Sequence, residues 1–205
     1  MLLANNIYFK RNGNQILENI DLSLSPKKII HLKGNNGSGK TTLLKIVANI
    51  LEPDQGDIFW NGKNIKKNTS EFYKDLTFIM DSKTSNEKLT VKENIKFWHK
   101  LFLSKISDNE IDSILKLLSI DRYLDTLISN LSYGETKKLE LSRLIIEQKK
   151  LWILDEPYIG LDDSSSDLIN QTIINHAAIG GMVIFTSHIV PAIHTLNTIE
   201  LKNNA

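Results

Sequence analysis

The chain of 205 residues contains no cysteine. Disulfide bridges, thiolate metal sites and cysteine nucleophiles are therefore excluded, and a reducing compartment is permitted. No apolar run approaches the roughly 20 residues that a helix needs to cross a bilayer. Residues 1–6 also lack the basic region and long apolar core of a signal peptide. We therefore expect the chain to stay where it is made, and any membrane role to depend on a partner.

An excess of charge of either sign is also missing. There are 25 Lys and Arg residues against 24 Asp and Glu residues, which gives a net charge of +1. This balance offers no electrostatic case for a nucleic-acid partner, although it leaves local basic patches open. Hydrophobic residues make up 41% of the chain. That share can fill the core of one large domain, with room for a subdomain.

A glycine-rich stretch, GNNGSGKTT at residues 34–42, matches the phosphate-loop pattern G-x-x-x-x-G-K-[ST] at every fixed position. It follows an apolar run at residues 28–32 that predicts a buried strand. Glycines let backbone N–H groups surround phosphates, and the helix that begins here favours an anion at its N-terminus. Lys40 is predicted to reach the β- and γ-phosphates, and Thr41 to bind Mg²⁺. The predicted nucleotide-binding residues of this phosphate loop are Gly34, Asn35, Asn36, Gly37, Ser38, Gly39, Lys40, Thr41 and Thr42. The alternative is a plain glycine-rich turn between a strand and a helix.

The remaining apolar patterns predict an α/β chain with a β-rich N-terminal part and an inserted helical part. Residues 1–32 predict a β-rich start with a turn at residues 12–14, and further strands are predicted at residues 57–60 and 76–80. From residue 82 to about residue 130 the apolar spacing becomes helical, and two capping boxes mark helix starts. We interpret this region as a helical subdomain inserted into an α/β core, and the whole chain as one domain.

A second candidate anion site is the sequence LSYGE, residues 131–135, at the start of another predicted helix. On one interpretation, Ser132 and Glu135 only form a capping box. On the other, the Ser132 hydroxyl and the Gly134 backbone bind an anion at the helix N-terminus. A single chain cannot easily bring this site and the phosphate loop to one phosphate, whereas two chains arranged head to tail can.

Three acidic or titratable residues follow buried strands. Asp155 and Glu156 come directly after the apolar residues 151–154, where a phosphate-loop protein holds Mg²⁺ and polarises the attacking water. His188 follows the predicted strand at residues 182–185. A lone histidine is more often structural, but at the carboxyl end of a strand it is placed to contact the γ-phosphate.

In this order, the phosphate loop, LSYGE, LWILDEP, GLD and TSH resemble the nucleotide-binding subunit of an ABC transporter over nearly the whole chain. The resemblance implies a phosphate-loop NTPase (RecA-like) core with an N-terminal antiparallel β subdomain and a helical subdomain at about residues 82–135. It implies that two chains hold two ATP molecules between phosphate loop and signature loop, and drive an integral membrane permease. The roles it implies are Mg²⁺ binding by Thr41 and Asp155, catalysis by Glu156 and His188, and communication across the dimer by Asp162. The implied signature residues are Leu131, Ser132, Tyr133, Gly134 and Glu135.

Within that family, the stretches GNNGSGKTTLLK, PDQGDIFWNG and LWILDEP resemble the small ATP-binding subunit of the cytochrome c maturation system. The absence of a regulatory extension agrees with this resemblance. It implies a role in haem export, or in release of a haem-loaded carrier, during c-type cytochrome assembly. It also implies a peripheral position on the cytoplasmic face of the inner membrane, or on the matrix side if the chain is organelle-encoded.

The chain departs from the family pattern at three places. Asp81 or Ser82 stands where the family has a glutamine that senses Mg²⁺ and the membrane partner, and Glu135 stands where the signature generally has glutamine. The aromatic residue that stacks on adenine is absent, and Arg11 lies nearest to its place. A planar guanidinium could stack there instead. Slower catalysis is expected, but Lys40 and Glu156 are retained.

Other functions remain open on the sequence alone. An ATP-dependent switch on DNA or ribosomes would use the same ATPase, but such proteins generally carry two ATPase units, long coiled coils or basic insertions, and none is seen here. A non-hydrolysing binding module is disfavoured because Glu156 and His188 are present. A transporter for another substrate also stays open, since substrate selection lies mostly in the membrane subunit.

Overall fold

The computed structural model describes residues 1–193 and 196–202. Its strands are β1 (Leu2–Arg11), β2 (Asn14–Leu24), β3 (Ile29–Lys33), β4 (Gln55–Trp60), β5 (Lys63–Asn64), β6 (Leu76–Ile79), β7 (Leu151–Leu154), β8 (Met182–Thr186) and β9 (Leu196–Glu200). Its α-helices are α1 (Lys40–Val47), α2 (Thr69–Asp75), α3 (Val91–Leu101), α4 (Asp108–Leu117), α5 (Tyr133–Ile146) and α6 (Asp163–Ala178). Within the described ranges, no helix is both long enough and apolar enough to cross a bilayer.

The strands form two sheets of different kinds. An antiparallel sheet has the order β2-β1-β4-β5, and a parallel sheet has the order β6-β7-β8-β3-β9. The hairpin between β1 and β2 closes at Asn12 and Gly13, both of which have positive φ, as a tight turn between antiparallel strands requires. The two sheets confirm the predicted combination of an N-terminal antiparallel β part and an α/β core.

The parallel sheet is buried on both faces. Successive side chains of a strand point to opposite sides, so neighbouring residues of one strand pack into different apolar clusters. In β8, Val183 and Phe185 belong to an apolar cluster that also holds residues of α3 to α6. Met182 and Ile184 belong to the other cluster, which is shared with α1 and the antiparallel sheet. The inner strands β7 and β8 are therefore almost continuously apolar, and the buried polar residues His31 in β3 and Thr77 in β6 are exceptions within the sheet.

The helical region follows the capping signals in the sequence. Thr90 with Glu93 and Ser107 with Glu110 form the capping boxes that begin α3 and α4. Residues 82–132, all of which are described, contain no strand apart from the isolated bridge between Thr90 and Leu127. Trp98 packs in the core of this region at 4% exposure, as its helical spacing predicts.

Three elements were not predicted: the two-residue strand β5, helix α2 and strand β9. Helix α2 is short and only Phe72 of it is buried, so it carries no repeating apolar stripe. Strand β8 is the last buried strand, as expected, but β9 follows it and pairs in parallel with β3. Since β9 lies at the sheet edge and none of its residues is fully buried, its sequence lacks the apolar run that identifies the inner strands.

A stacked pair between β7 and α6 makes stability depend on pH. The rings of Trp152 and His176 lie 3.6 Å apart at an interplanar angle of 5°, and His176 Nε2 lies 3.2 Å from the Lys150 carbonyl oxygen. Burial lowers the pKa of His176 from 6.5 to about 4. The folded chain thus keeps this imidazole neutral at pH values where the unfolded chain protonates it.

We predict that the free energy of unfolding falls between about pH 7.5 and about pH 5, because the unfolded state then binds a proton that the folded state does not. The substitution His176→Phe keeps a ring against Trp152 and removes the titrating group. Urea unfolding at both pH values should therefore show a smaller loss for the variant than for the parent. Equal losses in both proteins would contradict this assignment.

Candidate ATP-hydrolysis site

Four polar segments meet at one edge of the parallel sheet. Since β6, β7, β8 and β3 are neighbours and run in the same direction, their carboxyl ends lie side by side. Ligands of open α/β sheets bind at this edge. The segments that leave it are the phosphate loop, residues 81–86, residues 155–156 and residues 187–188. The strand order thus brings together residues that are more than 150 positions apart in the sequence.

The phosphate loop is built to present backbone N–H groups. Gly39 occupies the N-cap of α1 with φ 90°, and no side chain among the described residues caps this helix. Its first N–H groups are therefore left for an anion. A Cβ on Gly39 would meet Leu17 Cδ2 at 2.8 Å, so glycine is also needed for β2 to pack on the loop.

Two polar side chains point into the phosphate loop. Lys40 is buried, and its Nζ donates to the Gly34 and Asn35 carbonyl oxygens at 2.7 and 3.2 Å. A phosphate oxygen could take over one of these bonds, since an ammonium group donates three. The Ser38 hydroxyl is buried without a hydrogen-bond partner in the described structure. Because buried polar groups are normally paired, an incoming anion fits this loop.

Asp155 joins the phosphate loop to two strands. Its Oδ1 accepts hydrogen bonds from Thr41 Oγ1 at 3.1 Å and from Thr186 Oγ1 at 2.8 Å. Asp155 follows β7, Thr41 lies in α1 and Thr186 ends β8. The carboxylate that the sequence predicts for Mg²⁺ therefore lies directly beside the predicted Mg²⁺ hydroxyl.

Glu156 is held in an unusual backbone conformation. Its φ is +48°, in the left-handed region, and its N–H donates to Thr186 Oγ1 at 2.9 Å. A non-glycine residue in this region is costly and is often found at functional sites. The turn directs the Glu156 carboxylate to His188, whose backbone N–H donates to Glu156 Oε2 at 3.3 Å. His188 Nε2 lies 3.4 Å from Glu156 Oε1.

The signature loop, residues 131–135, begins α5. Ser132 Oγ accepts from the Glu135 N–H at 3.3 Å, and Glu135 Oε2 accepts from the Ser132 N–H at 2.8 Å. The capping-box interpretation is thus what the structure shows, and an anion-binding role stays a prediction. The hydrogen bond between Glu135 and Tyr123, followed by the bonds to Ser132, lowers the pKa of Glu135. This carboxylate is therefore charged at neutral pH.

A depression of about 480 Å³ opens beside the signature loop. Three signature residues, Ser132, Gly134 and Glu135, line it together with Arg122, Lys138 and the turn at residues 160–162. No phosphate-loop residue lines it. Asp162 caps α6 through the Ser165 N–H and lies 2.8 Å from Lys138 Nζ. These hydrogen bonds, first of all the one with Lys138, lower the pKa of Asp162. The depression contains donors for an anion that its own phosphate loop does not reach.

Arg11 ends β1 at the exposed hairpin and does not contact the phosphate loop. Its guanidinium lies 6.0 Å from the centre of the Phe9 ring, within reach of a cation–π contact. The hairpin itself lies near the loop, because Ile16 and Ser38 line one depression of about 240 Å³. Stacking of Arg11 on adenine stays a prediction.

The structure adds a residue to the predicted set. Thr186 is fully buried and binds both Asp155 and the backbone of Glu156. In the sequence it is one polar residue after an apolar strand, and nothing near it indicates a partner 31 positions away. A polar residue at the end of an inner strand is the one signal that could have found it.

A divalent ion would depend on the nucleotide for part of its ligands. In residues 1–193 and 196–202 there is no group of three His, Cys, Asp or Glu side chains that could hold a metal. The Thr41 hydroxyl and the Asp155 carboxylate supply two oxygen ligands of the kind that Mg²⁺ prefers, and the remaining ones must be phosphate oxygens or water. These residues fit a magnesium nucleotide and not a free resident metal.

A sequence model of the ABC transporter family matches residues 17–159. The chain belongs to the ABC transporter family. This membership supports the predicted ATPase activity, with ATP as the nucleotide.

Similar chains are the cytochrome c biogenesis ATP-binding export proteins CcmA of Reclinomonas americana and of Vibrio vulnificus. The former is 38% identical over 91% of this chain and 84% of its own length; the latter is 32% identical over 92% of each.

A solved structure shows the same fold. It is the dimeric post-hydrolysis state of the ATP-binding cassette MJ0796 bound to ADP and phosphate. It superposes with a TM-score of 0.85 at 19% identity and covers 100% of this chain and 97% of its own. The predicted phosphate-loop NTPase architecture is thereby confirmed.

We predict that Thr186→Val slows ATP hydrolysis about tenfold or more, since it leaves Asp155 with one fewer donor and the Glu156 N–H without an acceptor. The loss of a buried hydrogen-bond partner should also lower the free energy of unfolding by about 1–3 kcal/mol. Thr186→Ser keeps the hydroxyl and should restore most of the rate. Phosphate release and urea unfolding measure both effects, and a Val variant with normal turnover would contradict the assigned role.

Proposed function

We propose that the chain is the ATP-hydrolysing subunit of an ABC transporter complex that serves c-type cytochrome biogenesis, by haem export or by release of a haem-loaded carrier. Two observations together support the proposal. Lys40, Asp155, Glu156 and His188 lie at one edge of the parallel sheet, and the chain is similar to CcmA proteins over 91–92% of its length. The pathway is inferred from the name of the similar proteins, and the ATP hydrolysis is inferred from the residues of the site.

The proposed hydrolytic step uses the residues at the sheet edge. Backbone N–H groups of the phosphate loop and Lys40 bind the phosphates. Thr41 and Asp155 would hold Mg²⁺, and the ion would supply positive charge to neutralise the transferred phosphoryl group. Glu156 accepts a proton from the attacking water as general base. Its Oε2 is oriented by the His188 N–H at 3.3 Å. His188 is half exposed and is placed to contact the γ-phosphate from the open side.

The proposed assembly is a dimer of two such chains on an integral membrane permease. The depression beside the signature loop offers Ser132 and Gly134, yet no residue of the phosphate loop lines it. A second chain can place its bound ATP there, in a head-to-tail arrangement with two sites. The dimeric cassette with the same fold supports this arrangement. We propose a single nucleotide-binding domain with a helical subdomain at about residues 82–135, positioned at the cytoplasmic face of the inner membrane.

The dimer is tested with Glu156→Gln. This substitution keeps the shape of the side chain and removes the general base, so the variant should bind ATP without turning it over. We predict a long-lived dimer with ATP and monomers with ADP, because a ligand that binds only the dimer stabilises it. Light scattering with each nucleotide measures the mass. Lys40→Ala, which weakens ATP binding, is the control and should stay monomeric. One mass for Glu156→Gln in both nucleotides would count against the sandwich.

The pathway is tested in cells whose only copy carries Glu156→Gln. We predict depletion of c-type cytochromes, which bear covalently bound haem, while b-type cytochromes are spared. Haem-stained gels and difference spectra measure the two pools. A haem carrier that accumulates in its loaded form would agree with a block at release. Normal c-type cytochromes in this strain would refute the pathway and leave the ATPase assignment untouched.

A further inference from the structure

The segment that follows β6, residues 81–86, is bound to α5 by side chains. At its start, Asp81 Oδ1 accepts a hydrogen bond from the Tyr133 hydroxyl at 3.0 Å. Asp81 is one of the two candidates for the place of the sensing glutamine, and Tyr133 lies in the signature loop. A residue of the segment at residues 81–86 is thus hydrogen-bonded directly to the signature loop of the same chain.

The Tyr133 ring is held on its other side by the turn at Gly160. A Cβ on Gly160 would meet Tyr133 Cδ1 at 2.5 Å and Cε1 at 2.8 Å, and a Cβ on Gly134 would collide with the Gly160 carbonyl oxygen. Glycine at both positions is therefore needed for this close packing. With its ring against one loop and its hydroxyl on another, Tyr133 has one orientation.

The rest of the segment is anchored further along α5. Glu140 is buried and accepts from the Thr84 N–H at 2.8 Å and from the Ser85 N–H at 2.5 Å. Arg143 Nη1 lies 3.3 Å from Glu140 Oε2 and donates to Thr84 Oγ1 at 2.8 Å. Removing one partner from such a buried charged network is costly. The backbone at residues 84–85 is therefore expected to move together with α5.

Lys137 connects α5 to the carboxyl ends of β6 and β7. Its ammonium is buried and lies 3.5 Å from both the Met80 and the Asp155 carbonyl oxygens. Residues 133, 137 and 140 are spaced by four and three positions and so lie on one face of α5. That face contacts the ends of β6 and β7 and the segment between residues 80 and 85.

We propose that Tyr133 and Asp81 form a positioning pair that couples the segment at residues 81–86 to the signature loop. Through this pair and the contact with Gly160, the segment fixes the position of Tyr133, and with it the surface that the signature loop offers to the ATP of the second chain. The inference rests on the proposed dimeric ATPase, which it extends by two residues that act through position rather than by contact with the nucleotide.

The test is a double-mutant cycle in the full chain. Tyr133→Phe and Asp81→Ala should each lower kcat for ATP hydrolysis roughly 5- to 10-fold, and the double variant should be no slower than the slower single variant. The Kd for magnesium ADP, which engages the phosphate loop, should stay within about twofold of the parent value. Asp81→Asn keeps an oxygen acceptor for the Tyr133 hydroxyl and should restore kcat.

Tyr73→Phe is the matched control. Tyr73 is 42% exposed and Tyr133 is 43% exposed, and the Tyr73 hydroxyl donates to the Asn49 carbonyl oxygen at 2.9 Å. The same atom is removed from a similar environment on α2, away from α5, so kcat should not change. Equal losses at both tyrosines, multiplicative losses in the double variant, or no rescue by Asp81→Asn would each overturn the coupling.

A second measurement needs no hydrolysis. Because the chain has no cysteine, Ser70→Cys on α2 and Ser113→Cys on α4 provide the only two thiols for spin labels. Asp81→Ala should broaden the distance distribution between them, and Asp81→Asn should leave it narrow. A parent that hydrolyses no ATP would refute the proposed function alone, whereas an unchanged distribution in Asp81→Ala would refute the coupling.

Discussion

A single carboxylate oxygen connects the parts of the ATP site. Asp155 Oδ1 accepts hydrogen bonds from the hydroxyls of Thr41 in α1 and of Thr186 at the end of β8, at 3.1 and 2.8 Å. The Thr186 oxygen also accepts a hydrogen bond from the N–H of Glu156, whose left-handed backbone brings its carboxylate to His188. Helix α1 and the residues that we propose to bind Mg²⁺ and to act as general base therefore depend on one partly buried chain of hydrogen bonds, and such networks are strong only when fully satisfied.

Two different parts of helix α5 make its connections. Its N-terminus carries the signature loop, and its buried face binds the ends of β6 and β7 through Lys137 and the segment at residues 84–85 through Glu140. Burial lowers the pKa of Lys137. Burying a lysine and a glutamate this far from water costs solvation free energy, and fixing the position of the signature loop is a sufficient reason to retain them.

Much of the site could be predicted because it is local in sequence. The phosphate loop, the capping boxes at Thr90 and Ser107, and the acidic pair after β7 each occupy a few consecutive residues whose backbone needs are set by neighbours. Thr186 and the Tyr133–Asp81 contact could not be found this way, since their partners lie 31 and 52 positions away. Strand β9 was missed for a related reason: an exposed edge strand needs no apolar repeat.

The sequence by itself determined the local features: the phosphate-loop motif, the carboxylates that follow buried strands and the residues where helices begin, because glycine conformations and caps depend on a few neighbouring residues. Only the tertiary structure decided how these pieces meet. The order β6-β7-β8-β3-β9 places the carboxyl ends of β7, β8 and β3 side by side. The depression beside the signature loop is lined by residues of other segments and by none of the phosphate loop. Strand order and helix packing arise from long-range burial of apolar surface, which no short stretch of sequence encodes.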